Sequence, residues 1–201
     1  MSKSRISLTR QVAEIRRTFR ALPDQIMKPA VTSAINKVAA LARTQAVREM
    51  KQIYALPASA LRRAIFVNRA TRTTLTATLK AEGSPLPLIL FKARQTKKGV
   101  TYEIKRGRRV LFPHAFIATM SSGHRGVFAR GKYASNQFIG RHKRLKRYPL
   151  SDTPITQIVG VGVVTSFGQA EVQAVLEATV REKFPDILRN QIEFRLGKLS
   201  G

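Results

Sequence analysis

The chain has 201 residues and a formal net charge of +26, with 37 Lys and Arg against 11 Asp and Glu. Its 43% hydrophobic content supplies enough apolar surface to offset chain entropy, which excludes wholesale disorder. The absence of cysteine excludes a disulfide framework and a thiolate metal site.

Residues 1–22 alternate basic and apolar side chains without the uninterrupted apolar run of a signal peptide. The longest apolar passage, 158–164, is far short of the roughly 20 residues that cross a bilayer. The expectation is a soluble protein without a membrane partner. A chain this long suits one sizeable domain, 1–201. Its charge repels itself and attracts polyanions at long range, and nucleic acid is the commonest partner for such a composition.

In chain order, 1–7 reads as a basic tail and 8–22 as a first helix, because Val12, Ile15, Phe19 and Leu22 recur at three- and four-residue steps. Leu22-Pro23-Asp24 breaks it. A second helix is predicted over 28–52, glycine-free and alanine-rich, with an apolar stripe of Val31, Ala34, Ile35, Val38, Ala39, Ala42, Ala46, Met50 and Ile53. Pro29 fits a first turn, or marks a kink if the helix begins at Asp24. A short helix covers 56–63, so 24–63 is helical as a whole.

Then the period changes to two. Leu75, Ala77, Leu79 and Ala81 alternate with Thr74, Thr76, Thr78 and Lys80, and Ile65-Phe66-Val67 is a plausible partner strand. Further strands are predicted over 86–91, 100–104, 110–112, 115–120 and 126–129. Between them lie the turns Lys97-Lys98-Gly99, Arg106-Gly107-Arg108-Arg109 and Ser121-Ser122-Gly123-His124. Residues 64–130 are thus read as one antiparallel sheet of four to six strands.

The segment 131–150 lacks a clear period, carries the run Arg141-His142-Lys143-Arg144-Leu145-Lys146-Arg147, and is read as a long basic loop. Gly160 and Gly162 argue against a long helix over 155–165. The helical pattern returns over 166–196, with Pro185 expected to split or kink it. Acids gather there: Glu171, Glu177, Glu182, Asp186 and Glu193. That mixed surface suits contact with another protein chain. The fold class is therefore α+β, a long N-terminal helix and C-terminal helices packed on a central antiparallel sheet with long basic loops; 151–201 forms the C-terminal helical part.

Catalytic signatures are lacking, with no phosphate-binding P-loop, nucleophile elbow or dinucleotide fingerprint. Acids are too scattered for a two-metal site. His114 and His124 straddle a hairpin and could face each other, but without a carboxylate or thiol they make a poor metal site. The reading is a non-enzyme without cofactor or metal. Phosphate binding is the supported chemistry: residues 92–147 hold sixteen Lys and Arg against the single acid Glu103. The predicted contacts, to DNA phosphates or an acidic partner, are Lys97, Lys98, Arg106, Arg108, Arg109, Arg130, Lys132, Arg141, Lys143, Arg144, Lys146 and Arg147. Such contacts position a polyanion without reading its sequence. No recognition helix, zinc finger or aromatic RNA-binding signature suggests base readout.

The order of several short passages resembles the minor tail protein Z family of tailed bacteriophages. They are Ala34-Ile35-Asn36-Lys37-Val38-Ala39, Leu86-Pro87-Leu88-Ile89, Pro113-His114-Ala115-Phe116-Ile117, the arm 126–131, and Arg147-Tyr148-Pro149-Leu150 before a helix with a central Pro185. The resemblance spans roughly 28–195 and departs from the family pattern in the length of 131–147. It implies a structural protein of the virion neck or upper tail, present in the host cytoplasm during assembly. It further implies a ring of copies of itself, commonly six, that completes the tail and joins it to the head. Expected neighbours are tail-tube, terminator or head-connector proteins, and double-stranded genomic DNA in the channel. The alternative reading is a free, non-sequence-specific nucleic-acid-binding protein of the ribosome- or nucleoid-associated type.

Overall fold

The computed structural model describes residues 2–4, 23–134, 137–140 and 155–198. They divide into two compact units. Unit 1 is assembled from 1–50, 61–82 and 164–201, and unit 2 from 51–60 and 83–163. The helix predicted over 8–22 lies outside the described residues.

Alanine-rich and without glycine, Asp24–Ile53 forms one thirty-residue helix, α1. The predicted stripe from Val31 to Met50 is buried throughout. The helix begins at Asp24, so Pro29 lies inside it. Its missing N–H falls just past the opening turn, and the helix continues. The Pro23 carbonyl accepts from the backbone N–H of Ile26 (2.9 Å) and Met27 (3.1 Å), closing that first turn. A short helix, α2 (Ala58–Ala64), runs directly into β2 (Ile65–Asn68).

In unit 1, β2 pairs antiparallel with β3 (Thr78–Ala81), and β1 (Ser2–Ser4) pairs with the other edge of β3. The alternation over 74–81 becomes strand only in its last four residues. The reason is local: the Thr71 Oγ1 accepts the Thr74 N–H (2.9 Å) and the Thr71 N–H reaches the Thr74 carbonyl (2.9 Å). That side-chain-closed turn competes with the ladder and ends it at the Asn68–Thr78 pair.

After α3 (Val163–Phe167) comes α4 (Ala170–Gly197), which buries Val172, Leu176, Val180, Phe184, Leu188 and Ile192. Pro185 does not split it. A proline costs a helix interior about 3 kcal/mol. Phe184 and Leu188, on either side, are fully buried and contribute about 1.5–3 kcal/mol each. Packing outweighs the missing hydrogen bond. Arg195 ties α4 to α1, its guanidinium donating to the Ser33 Oγ (2.8 Å), the Pro29 carbonyl (3.1 Å) and the Gln191 carbonyl (2.9 Å).

In unit 2 the strands do not form one central sheet but several small antiparallel ones. β5 (Arg94–Thr96), β6 (Gly99–Glu103) and β7 (Arg109–Pro113) make a three-stranded meander. β8 (Phe116–Thr119) and β9 (Arg125–Arg130) make a hairpin extended by β12 (Ile155–Gln157). β4 (Pro85–Pro87) pairs with β13 (Val159–Gly162). Pro87 sits in this two-stranded pair as an edge residue should. The predicted strand over 86–91 stops there, giving way to a 3-10 turn, Leu88–Leu90, and the buried Phe91.

Over 131–150 the loop reading is also corrected in part. β10 (Lys132–Ala134) and β11 (Gln137–Gly140) form an irregular hairpin, with a register shift between Lys132 and Tyr133. Residues 141–150 lie outside the described ones.

Gly99 has the closest neighbour of any described glycine in unit 2. Its φ is +146°, and a Cβ there would stand 2.1 Å from the Phe112 carbonyl oxygen. Gly99→Ala is expected to lower the free energy of unfolding by about 2–4 kcal/mol. Urea unfolding followed by circular dichroism would read the loss.

Candidate polyanion interface

The basic middle of the chain is arranged around Glu103, the last residue of β6. Its backbone N–H donates to the Phe91 carbonyl (2.9 Å), and its side chain is buried. The carboxylate accepts the Gly107 backbone N–H (3.0 Å) and lies 3.4 Å from the Lys92 Nζ and 3.6 Å from an Arg109 guanidinium nitrogen. Gly107 can turn its N–H inward because it adopts φ +78°. The Gly107 hydrogen bond, followed by Lys92 and Arg109, holds the Glu103 carboxyl below the usual glutamate range against the opposing effect of burial.

Glu103 and Arg109 are register partners across β6 and β7, so this one acid closes the hairpin loop 104–108. A second set of bonds fixes the loop from outside. The Ala55 N–H donates to the Ile104 carbonyl (2.9 Å) and the Arg106 N–H to the Ile53 carbonyl (2.9 Å). The Arg106 Nε donates to the Lys51 carbonyl, in the last turn of α1. A guanidinium placed at a helix C-terminus also meets the negative end of the helix dipole.

The twelve predicted contact residues are therefore not equivalent. Lys97 and Lys98 are exposed at the β5–β6 turn, and Arg106 and Arg108 are exposed at the β6–β7 turn. These turns lie at opposite ends of β6, whose five residues span about 13 Å. They form two separate cationic tips. Arg106 is engaged with the end of α1, and Arg109 with Glu103 and the Thr101 hydroxyl (3.3 Å). Arg130, at the end of β9 opposite Ile155, is half-buried. Lys132 lies in β10. Arg141, Lys143, Arg144, Lys146 and Arg147 lie outside the described residues.

His114 and His124 do not face each other. His114 precedes β8 at φ +58°, while His124 is in the turn at the other end of that strand, 2.9 Å from the Gln157 amide nitrogen. Among the described residues no three His, Asp or Glu come together as a metal-binding group. No described helix is long and apolar enough to cross a membrane.

Sequence reasoning missed a second concentration of cations, in unit 1. A groove of about 580 Å³ runs between α1 and the α2–β2 segment, with Lys37, Arg43, Arg62 and Arg69 on its walls and no acid among its lining residues. Asn36 clamps one end, donating to the Ala70 carbonyl (3.0 Å) and accepting the Ala70 N–H (2.8 Å). Arg43 holds the other wall through the Arg62 carbonyl (2.6 Å). The available signal was the near-absence of acids over 37–69, where Glu49 stands alone, but the apolar stripe of α1 dominated that region.

Because the Glu103 pKa is lowered by folding, its contribution to stability is complete above the ordinary glutamate value of 4.5 and is lost as pH falls below it through the folded-state pKa. Glu103→Gln is expected to lower the melting temperature at neutral pH. The gap from the parent should narrow on acidification, as thermal melts across an acid pH series would record.

A family model described as prophage minor tail protein Z (GPZ) matches residues 14–200. No curated protein and no solved structure is significantly similar to the chain. The match covers nearly the whole chain and includes the passages from Ala34 to Pro185 that carry the resemblance. The chain belongs to the prophage minor tail protein Z family and is a structural protein of the phage tail.

Proposed function

We propose that this tail protein assembles as a ring of copies of itself, six in number, at the upper tail, where it completes the tail and joins it to the head around the DNA channel. The observation that carries the reading is the pair of cationic tips at opposite ends of β6, in a chain of a structural tail family. Lys and Arg on such tips can meet phosphates of any sequence, and a channel through which any sequence must pass requires no base readout. The neighbours above and below, tail-tube, terminator or head-connector rings, then take a share of the charge. A duplex offers about one negative charge per 1.7 Å of axis, too few for six copies of a +26 chain to spend all their cations on it.

Virions made without this chain should accumulate as filled heads and separate tails under the electron microscope. Normal particles with heads and tails joined would overturn the proposal.

DNA contact is tested separately by titrating a duplex with purified protein at several salt concentrations. Lys97→Ala with Lys98→Ala is expected to flatten the slope of log affinity against log salt by up to about 1.8, from two phosphate contacts at about 0.9 each. Arg108→Ala should add its own decrement independently, since it lies at the other end of β6. A slope unchanged in all three substitutions would remove these tips from the DNA contact. Steep binding by a protein that never forms rings would favour a free nucleic-acid-binding protein instead.

A further inference from the structure

We propose that the basic groove of unit 1 is a docking site for a second copy of this chain, and that its occupant is the acidic stripe of the partner copy's α4. The inference rests on the self-assembly proposed above and names the surface that performs it.

The groove carries four cations and no acid. Lys37, Arg62 and Arg69 are exposed, and their side chains form no ion pair or hydrogen bond among the described residues. The Arg43 Nε is buried in this wall with no hydrogen-bond partner among the described residues. Donors in such an array favour a ligand that brings carboxylates or other anions. The groove is also partly apolar: Val47 and Ile65 are buried in its walls, and Phe66 is 47% exposed. A concave site of this volume with an aromatic on its wall suits side chains of another protein better than the broad backbone of a duplex.

The same unit offers the complement. At 100° per residue, Glu171, Glu182, Asp186 and Glu193 of α4 fall within about 60° of one another around the helix axis, with Arg189 the one cation in that sector, so the stripe stays acidic on balance. All four are exposed. Glu182 is bonded only to the adjacent Lys183 (2.7 Å), and Glu171, Asp186 and Glu193 form no ion pair among the described residues. On a chain with 11 acids in all, this stripe is a large share of the negative surface. Dimensions agree as well. The α1 wall from Lys37 to Val47 is about 15 Å long, and Glu182 to Glu193 covers about 16 Å, at 1.5 Å per residue. The chain's own segment 5–22 is a poor competitor, with five arginines and one acid. Groove on one copy and stripe on the other make a head-to-tail contact, the kind that generates rings when the rotation closes.

Two charge-reversed full-length chains test the proposal by sedimentation equilibrium, with circular dichroism melts as a folding check. One is K37E/R62E/R69E; the other is E182K/D186K/E193K. Each alone is expected to self-associate at least about 100-fold more weakly than the parent, since like charges then meet across the interface. A mixture of the two should recover association, because each now complements the other. Raised salt should weaken the parent's association.

A parent that stays monomeric at all concentrations overturns the proposal, and so does a mixture that fails to recover. Association unchanged in both variants places the interface elsewhere and leaves the ring reading standing, whereas virions that join normally without the chain sink that reading and not this contact. If the groove variant instead loses melting temperature with its association intact, the groove is filled from within its own chain. If it loses duplex affinity alone, the occupant is nucleic acid. Either result overturns docking of α4.

Discussion

One carboxylate organises the most basic part of this protein. In a stretch where every other ionisable group of fixed charge is positive, Glu103 gathers Lys92, Arg109 and the Gly107 N–H onto a single buried side chain. Without it, the loop between β6 and β7 would be a concentration of like charges closed only by backbone bonds. With it, one negative charge is shared between two of the cations, Lys92 and Arg109, and Arg106 and Arg108 stay on a loop whose backbone is fixed on both sides. The acid also turns a glycine to use, since only a residue free to adopt φ +78° can aim its N–H back at the end of β6.

The helices were legible in the sequence because their signals are redundant. Over α1, alanine content, the lack of glycine and a three–four spacing of apolar residues all agree, and every predicted stripe residue from Val31 to Met50 is buried, with Val47 added to them. The hairpin turns at 97–99, 106–109 and 121–124 were legible for a different reason: glycine at a positive φ marks each of them. What the sequence could not convey was how strands are shared among sheets. Period two says that a strand has an inner and an outer face, but not which neighbour it pairs with. So 64–130 read as one sheet, although β4 finds its partner in β13, more than seventy residues on. The split expected at Pro185 failed for a related reason, because the burial of Phe184 and Leu188 carries the helix through it.

The candidate site shows the limit more sharply. Charge runs are visible in a sequence, yet their sum is not a surface. Lys97 and Lys98 stand at one end of β6, and Arg106 and Arg108 at the other. Arg109 proved to be a structural cation paired with Glu103. Conversely, Lys37, Arg43, Arg62 and Arg69 are spread over more than thirty residues and never form a run, yet the fold places them around one groove. Clusters made by folding are invisible to a reading that moves along the chain.

The way the chain divides between its units has a consequence for the order in which they become structured. Unit 1 needs 1–50, 61–82 and 164–201 together, and Arg195 meets Pro29 and Ser33 across more than 160 residues of intervening sequence. Nearly all of unit 2 lies between those pieces. On a ribosome, α1 would emerge long before the helix that Arg195 carries, with its apolar stripe waiting for a partner. The inserted strands can pair among neighbours as soon as they appear, since β5 to β9 connect in sequence order. The long closure falls last, and loop-closure entropy makes it the slow one. A nascent chain stalled before α4 would therefore carry the apolar stripe of α1 without the helix that Arg195 fastens to it.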